Sequence, residues 1–209
     1  MTAKTYDAAG SSGRPRDPVL EQAILAATVD IVARCGLSGA TVEAVARQAG
    51  TGKAAVYRRW PSKTALVIAA MRALHADVTI PDTGSLREDL FACALHYTSG
   101  DEQATILLAN VLSEATRNTS LREAAFEAIG KPPADALRLV ITRSVARGEI
   151  APSVPVDLLT GIIPAVAFRQ VALHGRRIDT DTVADLVDHV LLPALRPCAC
   201  VDATPEPAS

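Results

Sequence analysis

An all-α fold is what the 209-residue sequence predicts, on three observations. Aromatic residues make up only 3%, Ala and Leu dominate over strand formers, and apolar residues recur at steps of three and four. Hydrophobic residues at 49% and charged residues at 21% suffice for a packed core and argue against global disorder. The helices divide into a short N-terminal group of three and a longer C-terminal set.

Residues 1–16 are polar, include Gly-Ser-Ser-Gly and two arginines, and read as a basic arm. Asp17-Pro18 is an N-cap followed by proline at the first helical position. Leu20, Ile24, Ala27, Ile31 and Cys35 then mark one inward face, with Cys35 expected as a small core residue, until Gly36 stops the helix. Thr41 caps a second short helix, with Glu43 in its first turn and Val45 and Ala49 inward, ending at Gly50. A third runs from about Lys53 to Arg59, completing a unit over 17–62. Pro61-Ser62 recaps the chain for a connecting helix over 63–78, from Lys63 to about His75.

"TIPDTGS", Thr79 to Ser85, interrupts every period and opens a second unit over 79–196. Helices are expected near 85–99, 101–117, 119–130, 132–147, 155–174 and 179–194. Lys131-Pro132-Pro133 marks either a break or a kink inside one long element. Pro193 is expected to end the last helix, and 197–209 reads as a disordered tail.

Charge is unevenly spread. Residues 1–76 hold ten Lys/Arg against five Asp/Glu, and the remainder holds 11 against 18. A basic third on an acidic remainder points to an anionic partner for the first part alone. The four cysteines (35, 93, 198, 200) form no spaced pair of pairs, so neither a disulfide framework nor a zinc finger is expected; Cys198-Ala-Cys200 is the one candidate for metal binding or oxidation. No metal or cofactor is expected. "MTAKTYDAAGSSGRPRD" lacks an apolar signal core, and the run Leu158–Phe168 is too short to span a bilayer. A soluble, cytoplasmic protein without a membrane partner is the expectation.

The stretch "TVEAVARQAGTGKAAVYRRWPSKTALV", Thr41 to Val67, carries the functional signal. Two short helices joined through Gly50-Thr51-Gly52 match a helix-turn-helix, whose second helix enters the DNA major groove. Val56 and Trp60 lie one turn apart and face inward, leaving Lys53, Ala54, Ala55, Tyr57 and Arg58 outward. The Arg58 fork can bond guanine O6 and N7, and Lys53 is a flexible donor to the same edge. The Ala55 methyl suits a thymine methyl. The Thr41 and Tyr57 hydroxyls and Lys63 suit phosphate oxygens, and Arg59 can take either part. Tyr57 has a second reading as a half-buried core residue, and Lys63 as a plain surface lysine.

That stretch, with "GRPRDPVLEQAIL" before it, resembles the DNA-binding domain of TetR-family transcriptional regulators. Its "YRRWPSK" run is similar to one actinobacterial-type branch of the family. The resemblance covers residues 14–67 and implies a homodimer that reads a palindromic double-stranded DNA operator, most often as a repressor. It also implies a C-terminal α-helical ligand-binding and dimerisation domain. By motif position the DNA contacts fall on Thr41, Lys53, Ala55, Tyr57, Arg58, Arg59 and Lys63, with Arg14 and Arg16 in a minor-groove arm. Thr51-Gly52 departs from the Val-Ser often found there, which weakens side-chain capping of the third helix.

Residues 156–173 are apolar nearly all round, as an interface or fully buried helix requires. Ile162, Ala165, Val166, Val183, Val187, Val190 and Leu191 are the candidate dimer contact, the alternative being an ordinary core helix. Phe91, Leu107 and Val111 can wall an apolar cavity, with His96, Asn110, Glu114 and Arg169 as polar groups for an unknown small, mostly apolar effector. No phosphate loop, nucleophile elbow or zinc-protease motif occurs, and the four histidines are scattered, so an enzyme is not expected. The remaining rival is a helical interaction module without DNA binding.

Overall fold

The computed structural model describes residues 17–75 and 77–195. The arm with Arg14 and Arg16, and the tail with Cys198 and Cys200, lie outside them. Every regular element among the described residues is helical.

Asp17 caps α1 (Pro18–Gly39), its carboxylate accepting from Val19 N at 3.0 Å and Leu20 N at 3.3 Å. Gly36 interrupts α1 with φ 68° and ψ 171°, a left-handed excursion that glycine alone adopts cheaply. Ile24, Ala27 and Ile31 face inward as their spacing demands, but Cys35 is exposed. The chain turns at Gly36 directly after it, and Leu37 takes the next inward place. Thr41 Oγ1 accepts from Ala44 N at 3.1 Å to start α2 (Val42–Gln48). Gln48 reaches back to Arg34 (2.6 Å) and Asp30 (3.0 Å), fixing α2 across α1. The recognition element α3 (Lys53–Tyr57) is five residues long, its turn prolonged by Trp60 N donating to Val56 O at 2.9 Å. Ser62 caps α4 (Lys63–Ala73) through Ala65 N at 3.0 Å.

The second unit follows the expected order, with one difference, at Pro193, and with the Pro132-Pro133 alternative resolved in favour of one long element. After α5 (Leu86–Ala94), a 3-10 turn (Leu95–Thr98) and α6 (Glu102–Ala115), the chain runs without a break through α7 (Thr119–Ala125), a widened π turn (Phe126–Gly130) and α8 (Lys131–Ala146). Pro132 and Pro133 therefore do not end a helix. They cannot donate to the carbonyls behind them, and the widened turn relieves the ring clash that a regular turn would impose. The same device recurs after α9 (Val156–His174). There α10 (Thr180–Leu186) continues through a π turn (Val187–Leu191) into α11 (Leu192–Leu195), so the last helix passes Pro193 instead of stopping there. Asp89 of α5 is 2% exposed and accepts from Thr83 N (2.9 Å) and Thr83 Oγ1 (2.7 Å), pinning the connection from α4.

Two hydrophobic clusters form, and the first spans both units. Ile24, Val45, Val56, Trp60 and Met71 belong to it, as do Leu107, Val111 and Leu121 of α6 and α7. The second gathers α5, α8, α9 and the α10–α11 rod around Leu137, Ile163 and Val187.

Gly50 and Gly52 flank the turn before α3, and a Cβ on either would meet open space. Only Gly50 has positive φ, at 67°. Gly50→Ala should lower stability by about 1–2 kcal/mol from left-handed strain. Gly52→Ser should raise it by roughly a few tenths of a kcal/mol by adding the missing cap. Urea unfolding of the two variants reads the difference in sign.

Candidate nucleic-acid interface and effector cavity

Val56 is 1% and Trp60 9% exposed, so the underside of α3 is locked into the first core. The opposite side carries Lys53, Ala54, Tyr57 and Arg58, all exposed, Tyr57 at 41%. Lys53 lies 5.6 Å from the Tyr57 ring centroid, within cation–π range, and pairs with Glu43 of α2. That hydrogen bond raises the lysine pKa and lowers the glutamate's. Arg58 makes no ion pair among the described residues and presents a free fork. The Thr41 hydroxyl is exposed; it accepts from Ala44 N, and its own proton remains available to a phosphate oxygen.

Three expected contacts are placed differently. Lys63 is half-buried and donates to the Leu37 carbonyl at the end of α1, beside a cavity of about 90 Å³ lined also by Glu114 and Asn118. Its stem is drawn inward because Thr64, Val67 and Leu121 wall the same cavity. Arg59 folds back on α3, its Nη1 donating to Ala55 O at 3.2 Å, and its Nε is buried without a partner. Ala55 is half-buried beneath it.

The residues expected to hold a ligand do not converge. Leu107 is sealed in the first core, Asn110 donates to its own helix at Ile106 O (2.9 Å), and Arg169 is exposed. Phe91 lies under Arg87 at 5.9 Å. Glu114 faces the Lys63 cavity, 3.5 Å from Arg117. Only His96 and Val111 border the larger clefts, on different sides. What does converge is a group from distant parts of the chain: His75 just past α4, His96 and Tyr97 from the 3-10 turn, Phe168 from α9 and Arg177 from the α9–α10 loop. His75 and His96 have ring centroids 6.1 Å apart. Burial lowers both their pKa values, His96 to about 4, with the neighbouring Arg177 charge acting in the same direction. No sequence spacing announces this group, since Arg177 and His75 are 102 positions apart.

Of the expected dimer residues, Val183, Val187 and Leu191 are at most 1% exposed inside the chain's own second core. They leave nothing for a partner to touch. Ala165 is exposed, Ile162 and Val166 are half-buried, and Val190 is 39% exposed. Helix α9 also bares Leu158 and Leu173 at 68% and 69%. It is 19 residues long with mean hydropathy 1.5, enough by length and composition to cross a membrane, although it carries Arg169 and packs on α6 and α8.

Comparisons with known proteins agree with this geometry. Residues 24–70 match the model of bacterial regulatory proteins of the tetR family, and residues 80–190 that of a tetracyclin repressor-like C-terminal domain. An uncharacterised HTH-type transcriptional regulator of Mycobacterium tuberculosis is 33% identical over 87% of this chain and 93% of its own. A DNA-binding transcriptional repressor TetR of Mycobacteroides abscessus is 28% identical over 85% and 94%. Among solved structures, a TetR-family regulator from Rhodococcus sp. superposes with TM-score 0.66 at 18% identity, over 86% of this chain and all of that one. FadR from Bacillus subtilis, solved with stearoyl-CoA, gives 0.56 at 21% identity over 83% and 97%.

Both histidines are neutral in the fold, whereas an unfolded chain takes up their protons near pH 6.5. Stability is therefore fully present above that pH and drains away as pH falls toward 4. Melting curves should drop across this window, and His96→Gln should flatten the drop.

A cationic five-residue helix set on a buried Val56–Trp60 base, two matching family models and relatives of full length give one answer: the chain belongs to the TetR family of transcriptional regulators, not to an enzyme family.

Proposed function

We propose that the chain is a ligand-responsive repressor that binds a palindromic operator as a homodimer and is released by a small, mostly apolar effector. The observation that carries this reading is the solvent face of α3, where Lys53, Tyr57 and Arg58 are exposed above a base fixed in the core. Arg58 reads a base edge, Lys53 and Tyr57 grip the adjoining groove, and Thr41 takes a phosphate. Arg14 and Arg16 add a minor-groove arm. Lys63 and Arg59 contribute less than motif position implies, because their cationic ends are engaged within the chain. A DNA partner places the protein in the cytoplasm.

The dimer face in this reading is the outer side of α9, Leu158, Gly161, Ala165 and Leu173, with Val190 of the α10–α11 rod beside it. A second copy would cover apolar surface that the chain leaves bare, at roughly 25 cal/mol per Å² buried. Effector binding shifts the spacing of the two recognition helices, which must match half-sites about 34–36 Å apart.

Fluorescence-anisotropy titration of a random duplex tests the first claim. With about four phosphates neutralised per subunit, log affinity should fall against log salt with a slope of roughly −7. A slope near zero would favour a helical interaction module instead. On an operator selected from a random pool, Arg58→Ala should cost about 1–3 kcal/mol and relax discrimination at one base pair. Unchanged discrimination would remove Arg58 from base reading. Ala165→Arg should convert the dimer to monomer in sedimentation velocity and weaken operator binding with it.

A further inference from the structure

The group around Arg177 lines a small cavity of about 20 Å³ that shares wall residues with two larger ones. One, of about 330 Å³, is bordered by Arg72, Asp77 and Pro133; the other, of about 180 Å³ and mainly apolar, is bordered by Val111, Ala125 and Phe126, with Arg122 at its edge. Ile129, in the π turn, borders both and the central group as well. Leu108 and Phe168 continue from the centre into the apolar end.

Arg177 is held in place. Its guanidinium lies against Gly100 so closely that a Cβ there would stand 2.8 Å from Nη2, and its Nε donates to Thr105 Oγ1 at 3.1 Å. Yet it is half-buried and, among the described residues, has no carboxylate within ion-pair distance; Asp101 acts on it only through space. Arg72 and Asp77 at the mouth contribute one charge of each sign. The one acceptor on Arg177 Nη2 is His75 Nε2 at 3.4 Å. That assignment follows from chemistry: Met71 O, 2.7 Å from His75 Nδ1, only accepts, so Nδ1 carries the proton and Nε2 the lone pair. The hydroxyl of Tyr97, 5% exposed in the same wall, has no hydrogen-bond partner.

A half-buried planar fork whose Nε meets one hydroxyl and whose Nη2 has only a long bond to a neutral imidazole suits a carboxylate, because an anionic acceptor on both Nη atoms is shorter and stronger. We propose that the effector is a monocarboxylate with an apolar body, its carboxylate on Arg177 and its body along Leu108, Ile129 and Phe168. The carboxylate takes Arg177 from His75 and so severs a link between the α9–α10 loop and the end of α4. This rests on the reading of the chain as an effector-responsive DNA-binding protein.

Isothermal titration of the full chain with octanoate and with neutral octanamide, at pH 7.5, tests the assignment. Octanoate should bind at least tenfold more tightly. Arg177→Gln should bring octanoate down to the octanamide level without altering octanamide, and Arg177→Lys, which keeps the charge without the fork, should recover part of the difference. Equal affinity for the two compounds, no heat from either, or octanoate bound undiminished by Arg177→Gln overturns the proposal. If Arg177→Gln does not fold, as circular dichroism would show, the wild-type ratio and Arg177→Lys decide. Octanoate should also weaken binding to the selected operator duplex; tight octanoate binding that leaves duplex affinity unchanged overturns the coupling through His75. Absence of duplex binding at any salt strikes the repressor reading instead, and leaves the calorimetric comparison intact.

Discussion

A helix of five residues has no stability of its own in water, so the recognition surface exists only because Val56 and Trp60 are buried beneath it. Everything the outward side chains do depends on that anchorage. It fixes the azimuth of Lys53, Tyr57 and Arg58 relative to α2. The glycines of the turn let the chain reverse tightly enough for both helices to share one core. Glu43 adds a restraint of another kind: it holds Lys53 near the Tyr57 ring until a stronger anion replaces it.

The core that receives Val56 is not confined to the DNA-binding unit. It takes Leu107, Leu108 and Val111 from α6 and Leu121 from α7, with α1 packed on α6 and α4 on α7. Packed interiors pass displacement on instead of absorbing it. A change in how α6 or α7 sits is therefore felt by the element that carries α3, without any flexible linker between. Lys63, tied to the Leu37 carbonyl at the junction of α1, α4 and α6, lies in the same path.

Local chemistry was legible in the sequence and distant pairing was not. Asp17 and Thr41 could be named as helix starts because a cap needs only a short polar side chain and two or three following amides. Val56 and Trp60 followed from period alone. Pro193 misled, because a rule about regular turns does not cover a widened one, and it sits inside a helical rod. Cys35 kept the inward phase of α1 but fell where the chain was already turning away. Val183, Val187 and Leu191 have the apolar stripe of an interface, yet period cannot tell whether the partner is another chain or α5 of the same one. The Arg177–His75 contact joins residues 102 positions apart and leaves no local trace.

The π turn at Phe126–Gly130 falls where one rod leaves the first core and enters the second, with Leu121 and Ala125 on one side and Ala136 and Leu137 on the other. Since each residue of a helix advances the side chains by about 100°, a single extra residue in such a turn re-aims everything beyond it. The phase between the two cores is thus set by these five residues of one rod instead of by a loop.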